Sequence, residues 1–248
     1  MSAAIFRHLS FGACQMPDRL QQAITVLQTR FGSAAPRPAA PPCAVRPSGI
    51  VEIDALTGIG GWPVGRLSLL AGPRGSGKRT LAQRSLAAAS REGPVAYVDF
   101  PSRLDPEFLS RIDARLDRLL VVRPKSLREG MASIRVLARA GVDLIGIDLP
   151  RARAAGLDAE LPHLLHRIAE ADCTLLLIHD ADADDAIRYY ASLILSFQRR
   201  AWVFSRGGDL EGLEVDAAVV KNRLAPPGRT ERWVVPYPHG KSRDPDIP

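Results

Sequence analysis

The chain is poor in cysteine and lysine and contains no long apolar run. No apolar stretch approaches the roughly 18 residues that a membrane-spanning helix needs. The first twenty residues, MSAAIFRHLSFGACQMPDRL, lack the charged-then-apolar layout of a secretory signal. Both absences point to a cytoplasmic protein with no membrane partner. Cys14, Cys43 and Cys173 are the only cysteines. They stand apart, without CxxC spacing or histidine partners, which argues against a disulfide framework or a zinc site and leaves inert thiols. Four lysines stand against 29 arginines, so the position of each lysine is informative.

The composition is otherwise that of a globular protein: 248 residues, 46% hydrophobic and 24% charged. One α/β domain with an appendage fits this length. The net charge of +6 invites a nucleic-acid reading, but its distribution weakens it. Residues 1–47 hold five arginines and one acid, which leaves 28 bases against 26 acids in the remainder. The body is nearly balanced, and direct DNA binding is expected to be weak or absent.

Residues 17–32 place Leu20, Ala23, Ile24 and Leu27 at helical spacing and end on Gly32, which predicts a short amphipathic helix. The Pro/Ala-rich stretch 33–47 reads as a semi-extended linker. A helix too small for its own core needs a surface to pack on: the body of the chain, a second copy or another protein. From residue 48 to about 240 short apolar runs alternate with helical patterns: LSLLAG, VAYVDF, LDRLLVV, VDLIGID and TLLLIH as strands, with helices at TLAQRSLAAASRE, 127–140 and 160–171. This is the pattern of an α/β domain with a mainly parallel central sheet and helices on both faces. After Ala186 the segments SLILSFQ, RAWVFSR, DAAVVKN and ERWVVPY are strand-rich and predict an antiparallel C-terminal extension, followed by a tail at 241–248.

The segment GPRGSGKRT follows one strand and opens one helix, which is the context a phosphate loop requires. Gly72, Gly75 and Gly77 let the backbone amides, with those of Arg74 and Ser76, converge on phosphate oxygens at a helix N-terminus. Lys78 would reach the β and γ phosphates of ATP. The residue after that lysine, normally a hydroxyl that holds Mg2+, is Arg79. A guanidinium has donors only and cannot ligate a metal, and Thr80 is displaced by about 100° around the helix, although it could still touch the α phosphate. Two arrangements are open: Arg79 replaces the charge of the ion, or it pairs with Asp148 and fills the site.

Further motifs surround the loop. SGIVEIDALTGIGGWPVGRLSLLAGP precedes it, with Gly60, Gly61, Pro63, Gly65 and Arg66 as marker positions; YVDFPSRLDPEF, VDLIGID, AIRYYASLILSFQRR and VVKNRLAPPGR follow in order. Over most of residues 17–241 the sequence resembles the bacterial RecA recombinase family. The resemblance implies that Asp148 is the Walker B carboxylate, that Asp105 and Phe108 edge and stack on adenine, and that Lys221 and Arg223 reach the γ phosphate of a neighbouring subunit.

Departures from the family pattern concern the chemistry. Pro101 stands where the resemblance places the glutamate that activates water, and Glu107 is the nearest alternative acid. The first DNA loop offers only Arg151 and Arg153, and the second is reduced to ADADD; Asp180 or Ala181 stands near the glutamine sensor position. The pattern resembles the ImuA kind of compact RecA-like accessory. That likeness implies damage-induced translesion synthesis, with a RecA-type partner (self or RecA) docked through the N-terminal helix and with translesion polymerase components. ATP is the ligand the loop implies, Mg2+ is not expected to be held, and vigorous hydrolysis is not expected.

Overall fold

A computed structural model of the chain describes residues 18–31, 43–149, 155–180 and 185–236. It divides into two units, residues 1–42 and 43–248. In the first, the anticipated helix is α1 (Asp18–Phe31). Thr29 Oγ1 donates to Thr25 O one turn back, and Val26 is exposed.

The second unit runs β1 (Val45–Arg46), α2 (Val51–Thr57), β2 (Trp62–Pro63), β3 (Leu67–Ala71), α3 (Lys78–Ser90), β4 (Val95–Asp99), α4 (Pro106–Arg111) and β5 (Leu119–Val122). It continues α5 (Leu127–Arg139), β6 (Leu144–Asp148), α6 (Leu157–Glu170), β7 (Thr174–His179), α7 (Asp185–Tyr190), β8 (Leu193–Phe204), β9 (Leu210–Asn222) and β10 (Thr230–Pro236). Eight strands form one sheet in the order β10-β9-β8-β3-β7-β6-β4-β5. Six strands, β8, β3, β7, β6, β4 and β5, are parallel; β9 and β10 are antiparallel additions. The architecture is the mainly parallel sheet with an antiparallel extension that the sequence predicts.

Side chains alternate between two buried faces. Leu67, Leu69, Ala71, Ala96, Val98, Ile145 and Ile147 pack with Met131 and Ile134 of α5 and Leu161 and Leu164 of α6. Leu70, Tyr97, Leu144, Leu176 and Ile178 pack on the other side with Ile53 of α2, Leu81 and Leu86 of α3 and Leu109 of α4. Burial on both faces is why the inner strands read as continuous apolar runs. The alternation also sets the site: Asp99 and Asp148, at the ends of adjacent strands, are paired in register on the α3 side.

Three boundaries differ from the sequence reading. The linker does not extend to residue 47, because Val45 and Arg46 pair with Pro63 and Trp62 as the β1–β2 ribbon, and Arg46 Nη2 bonds Asp143 Oδ1 at 2.9 Å. Proline-rich composition prevents a helix there, but a two-residue strand needs only an available partner edge. SLILSFQ and RAWVFSR are one strand, β8, which accommodates irregularities at Ile194/Leu195, Arg199/Ala201 and Val203/Phe204 without breaking. The lead-in segment contains a helix, α2, closed by Gly58 in the left-handed conformation. Among the described residues no helix is long and apolar enough to cross a membrane. Cys173 is buried, and burial pushes its thiol up to about 12, so it is unreactive near neutral pH.

Candidate nucleotide-binding site

The phosphate loop lies between the end of β3 and the start of α3, at the carboxyl ends of the parallel strands. Gly77 caps α3 at φ +82, and a Cβ there would stand 2.9 Å from Val235 Cγ2. Glycine is therefore required twice over, by backbone conformation and by the close approach of β10. The first turn of α3 carries no acid and begins Lys78-Arg79. Two cations at the positive end of a helix dipole oppose helix stability, so the arrangement favours an anion, supplied by a ligand or by the chain itself.

The chain supplies two. Arg79 Nε donates to Asp148 Oδ2 at 2.6 Å, with the Asp148 side chain 7% exposed. Lys78 is buried; its Nζ donates to Gly72 O at 2.5 Å and Pro73 O at 3.0 Å and lies 3.7 Å from Asp180 Oδ1. Burial holds the Lys78 ammonium below its ordinary value, Asp180 opposes that, and Arg79 reinforces it. Of the two arrangements left open for Arg79, the pairing with Asp148 is the one found.

Tyr97 supports the pair from beneath. Its hydroxyl donates to Asp148 Oδ2 at 3.5 Å, and burial, then the Asp148 carboxylate, push it well above the usual tyrosine range, so it remains a protonated donor. The ring needs the space beside Gly146, where a Cβ would meet Tyr97 Cδ2 at 2.9 Å. Asp99, which the sequence reading passed over, is fully buried and accepts from Arg103 N at 3.0 Å and Leu104 N at 2.9 Å. It thereby fixes the turn that carries Pro101. The signal for it was an acid ending an apolar strand, as at Asp148.

A pocket of about 230 Å³ is lined by residues 74–80, Pro101, Arg103, Asp148, His179 and Asp180, among others. It brings together Arg74, Gly75, Ser76, Gly77, Lys78, Arg79, Thr80 and Asp148. Gly72 stands just before it and supplies the carbonyl that holds Lys78. Ser76 Oγ and His179 Nε2 are buried without a hydrogen-bond partner among the described residues. A second cleft of about 410 Å³ adjoins it, lined by Gly75, Gly77, Thr80, Asp105, Phe108, Arg111, Trp202 and Val235, among others. Phe108 is where the resemblance implies an adenine-stacking ring. Trp202 is a second aromatic that sequence reasoning missed; Arg199 lies over its ring at 5.7 Å. Asp105 has a structural task, capping α4 by accepting from Glu107 N and Phe108 N.

The structure does not bring Lys221 and Arg223 to this pocket. Ile194 pairs with both Leu69 and Lys221, and Arg223 N bonds Ser192 O, which places both cations toward the start of β3, opposite its loop end. Lys221 Nζ donates to Arg188 O and Tyr189 O, and Arg223 Nη2 to Tyr189 O. Of the segments expected to stand for the DNA loops, residues 150–154, with Arg151 and Arg153, and 181–184 lie outside the described residues, while Asp185, the last residue of ADADD, opens α7.

The resemblance to RecA recombinases implies a divalent cation, and the residues present do not fit one. The hydroxyl position holds a guanidinium, and that guanidinium already occupies the carboxylate that would orient the water ligands of a metal. A nucleotide phosphate does fit the cradle, with its helix N-terminus, glycine conformations and unpaired buried Ser76 Oγ.

Fold and cradle define a phosphate-loop α/β protein. A family model described as the RecA N-terminal domain matches residues 19–161, and the chain belongs to this family, that of RecA-like recombinases in DNA recombination and repair. It is 30% identical over 237 residues to Protein RecA of Clavibacter michiganensis, covering 82% of this chain and 65% of that protein. To Protein RecA of Methylococcus capsulatus it is 29% identical over 267 residues, covering 92% and 77%. The chain thus spans 65% to 77% of the length of these two relatives. In fold it is similar to the crystal structure of the RadB recombinase, with a TM-score of 0.62 over 76% of this chain and 94% of that one, at 20% identity.

Proposed function

We propose that this chain is a RecA-like accessory protein of DNA repair, of the ImuA kind, that acts in damage-induced translesion synthesis through protein contacts and turns over ATP weakly or not at all. The observation that carries this reading is the Arg79–Asp148 pair, which closes the metal position from within the chain. Pro101, which lines the same pocket, offers no base, and loss of a general base alone costs about 10² to 10⁴ in rate. Glu107 is no substitute: it is exposed, pairs with Arg111 along α4 and lines neither cleft. When a nucleotide is held, the loop amides take its phosphates at the helix N-terminus and the cleft lined by Phe108 and Trp202 takes the base.

The partners of this reading are a RecA-type core, another copy or RecA, met by α1, and components of a translesion polymerase. Deletion of residues 1–42, which spares β1, is expected to abolish association with a RecA-type core. An unchanged mass in light scattering would contradict that. Turnover tests the catalytic half: with ATP, Mg2+ and single-stranded DNA the chain is expected to show no stimulated hydrolysis. DNA-stimulated hydrolysis would contradict the accessory reading and favour an active ATP-dependent recombinase.

A further inference from the structure

Lys78 has three donor positions, and the structure accounts for the surroundings of all three. Two face carbonyls of its own loop, Gly72 O and Pro73 O. On the remaining side stands the Asp180 carboxylate at 3.7 Å. Asp180 follows directly on β7, whose last residue, His179, is buried, so the strand end fixes its backbone beside the pocket. In a phosphate loop the lysine serves the β and γ phosphates. Here one acceptor of negative charge already stands against it.

The charges of the pocket follow from this. Lys78 and Arg79 are matched by Asp180 and Asp148, and the carboxylate that would orient a divalent cation, Asp148, is already bonded to Arg79. The loop amides and the Arg74 and Arg103 guanidinium groups that line the pocket remain for a ligand. They suit the α and β phosphates at the helix N-terminus. A third phosphate, extending past Lys78, would bring its charge against Asp180 with no ion to screen the contact.

We propose that Asp180 occupies the terminal-phosphate position, so that the cradle selects a nucleoside diphosphate over the triphosphate without a divalent cation. This rests on the reading of the loop as a nucleotide cradle. It assigns to Asp180 a specificity-determining role: the carboxylate completes the contacts of Lys78 where a γ phosphate would otherwise do so.

The experiment is calorimetry of the full chain with ADP and with ATP, in buffer containing chelator and no divalent cation, for the native protein and for Asp180→Asn. The native chain is expected to bind ADP at least about tenfold more tightly than ATP, the consequence of one like-charge contact at this distance. Asp180→Asn is expected to raise ATP affinity to within about threefold of ADP, because the charge is removed at nearly constant shape. The side chain is 44% exposed, so added salt should narrow the native preference as screening increases. ATP binding as tight as ADP in the native chain overturns the proposal and leaves the cradle reading standing. Equal preference in native and Asp180→Asn chains overturns the role of Asp180. If neither nucleotide binds the native chain, the cradle reading falls as well.

Discussion

The two ends of the parallel sheet treat positive charge differently. At the loop end, Arg79 and Lys78 each face a carboxylate of the same chain, Asp148 and Asp180. At the other end, Lys221 and Arg223 gather at the close of α7 around Tyr189 and bond only its carbonyl and that of Arg188; no carboxylate pairs with them among the described residues. The first end has satisfied its cations internally and has little use for a metal ion. The second holds cations that backbone dipoles stabilise but do not neutralise. On the proposed accessory reading, the closed end is the one that would carry no metal-dependent chemistry and the open end the one left for a neighbour.

The largest effect is expected from breaking the closed end. Arg79→Ala leaves the Asp148 carboxylate buried and unpaired, at a cost of about 3 kcal/mol in urea unfolding. Lys221→Ala at the open end should cost about 1 kcal/mol or less, since its bonds go to partly exposed carbonyls. Equal costs would remove the distinction between the ends. Next in size, Asp99→Ala removes the acceptor of two backbone amides from the turn under the pocket and should cost about 2 kcal/mol. Asp105→Ala should cost about 1 kcal/mol as a lost helix cap. If that variant instead keeps its stability and loses nucleotide affinity, Asp105 contacts the base.

The smallest effect concerns pH. The folded chain raises the Tyr97 pKa, so it keeps that proton at a pH where the unfolded chain has begun to lose it. The stability contributed by this group is present below the ordinary tyrosine value of 10.0 and is lost as pH rises above it. Tyr97→Phe should change stability at pH 7 by less than about 1 kcal/mol, given the 3.5 Å bond, and should flatten the alkaline fall measured by urea titration.

Much of the sheet and the loop was legible because their signals are local. Strands buried on both faces are continuous apolar runs, and the cradle is a contiguous motif in a strand-loop-helix frame. What was not legible depends on contacts across the sequence. No spacing rule joins Lys78 to Asp180, about a hundred positions away, or places Trp202 beside Phe108. Asp99 was overshadowed by Pro101 two residues on, although its place at a strand end matched that of Asp148. The helix α2 had a readable apolar spacing in Ile50, Ile53 and Leu56, with Gly58 to stop it, but it lay within a segment taken as a lead-in.

The central claim is that Arg79 closes the metal position. The most direct test is the affinity of the native chain for one nucleotide, ADP, measured with chelator and again with millimolar Mg2+. The account predicts the same affinity in both, within about twofold, because the carboxylate that would orient the ion is already bonded to a guanidinium. A gain of tenfold or more on adding Mg2+ would show that the ion displaces Arg79, and would contradict it.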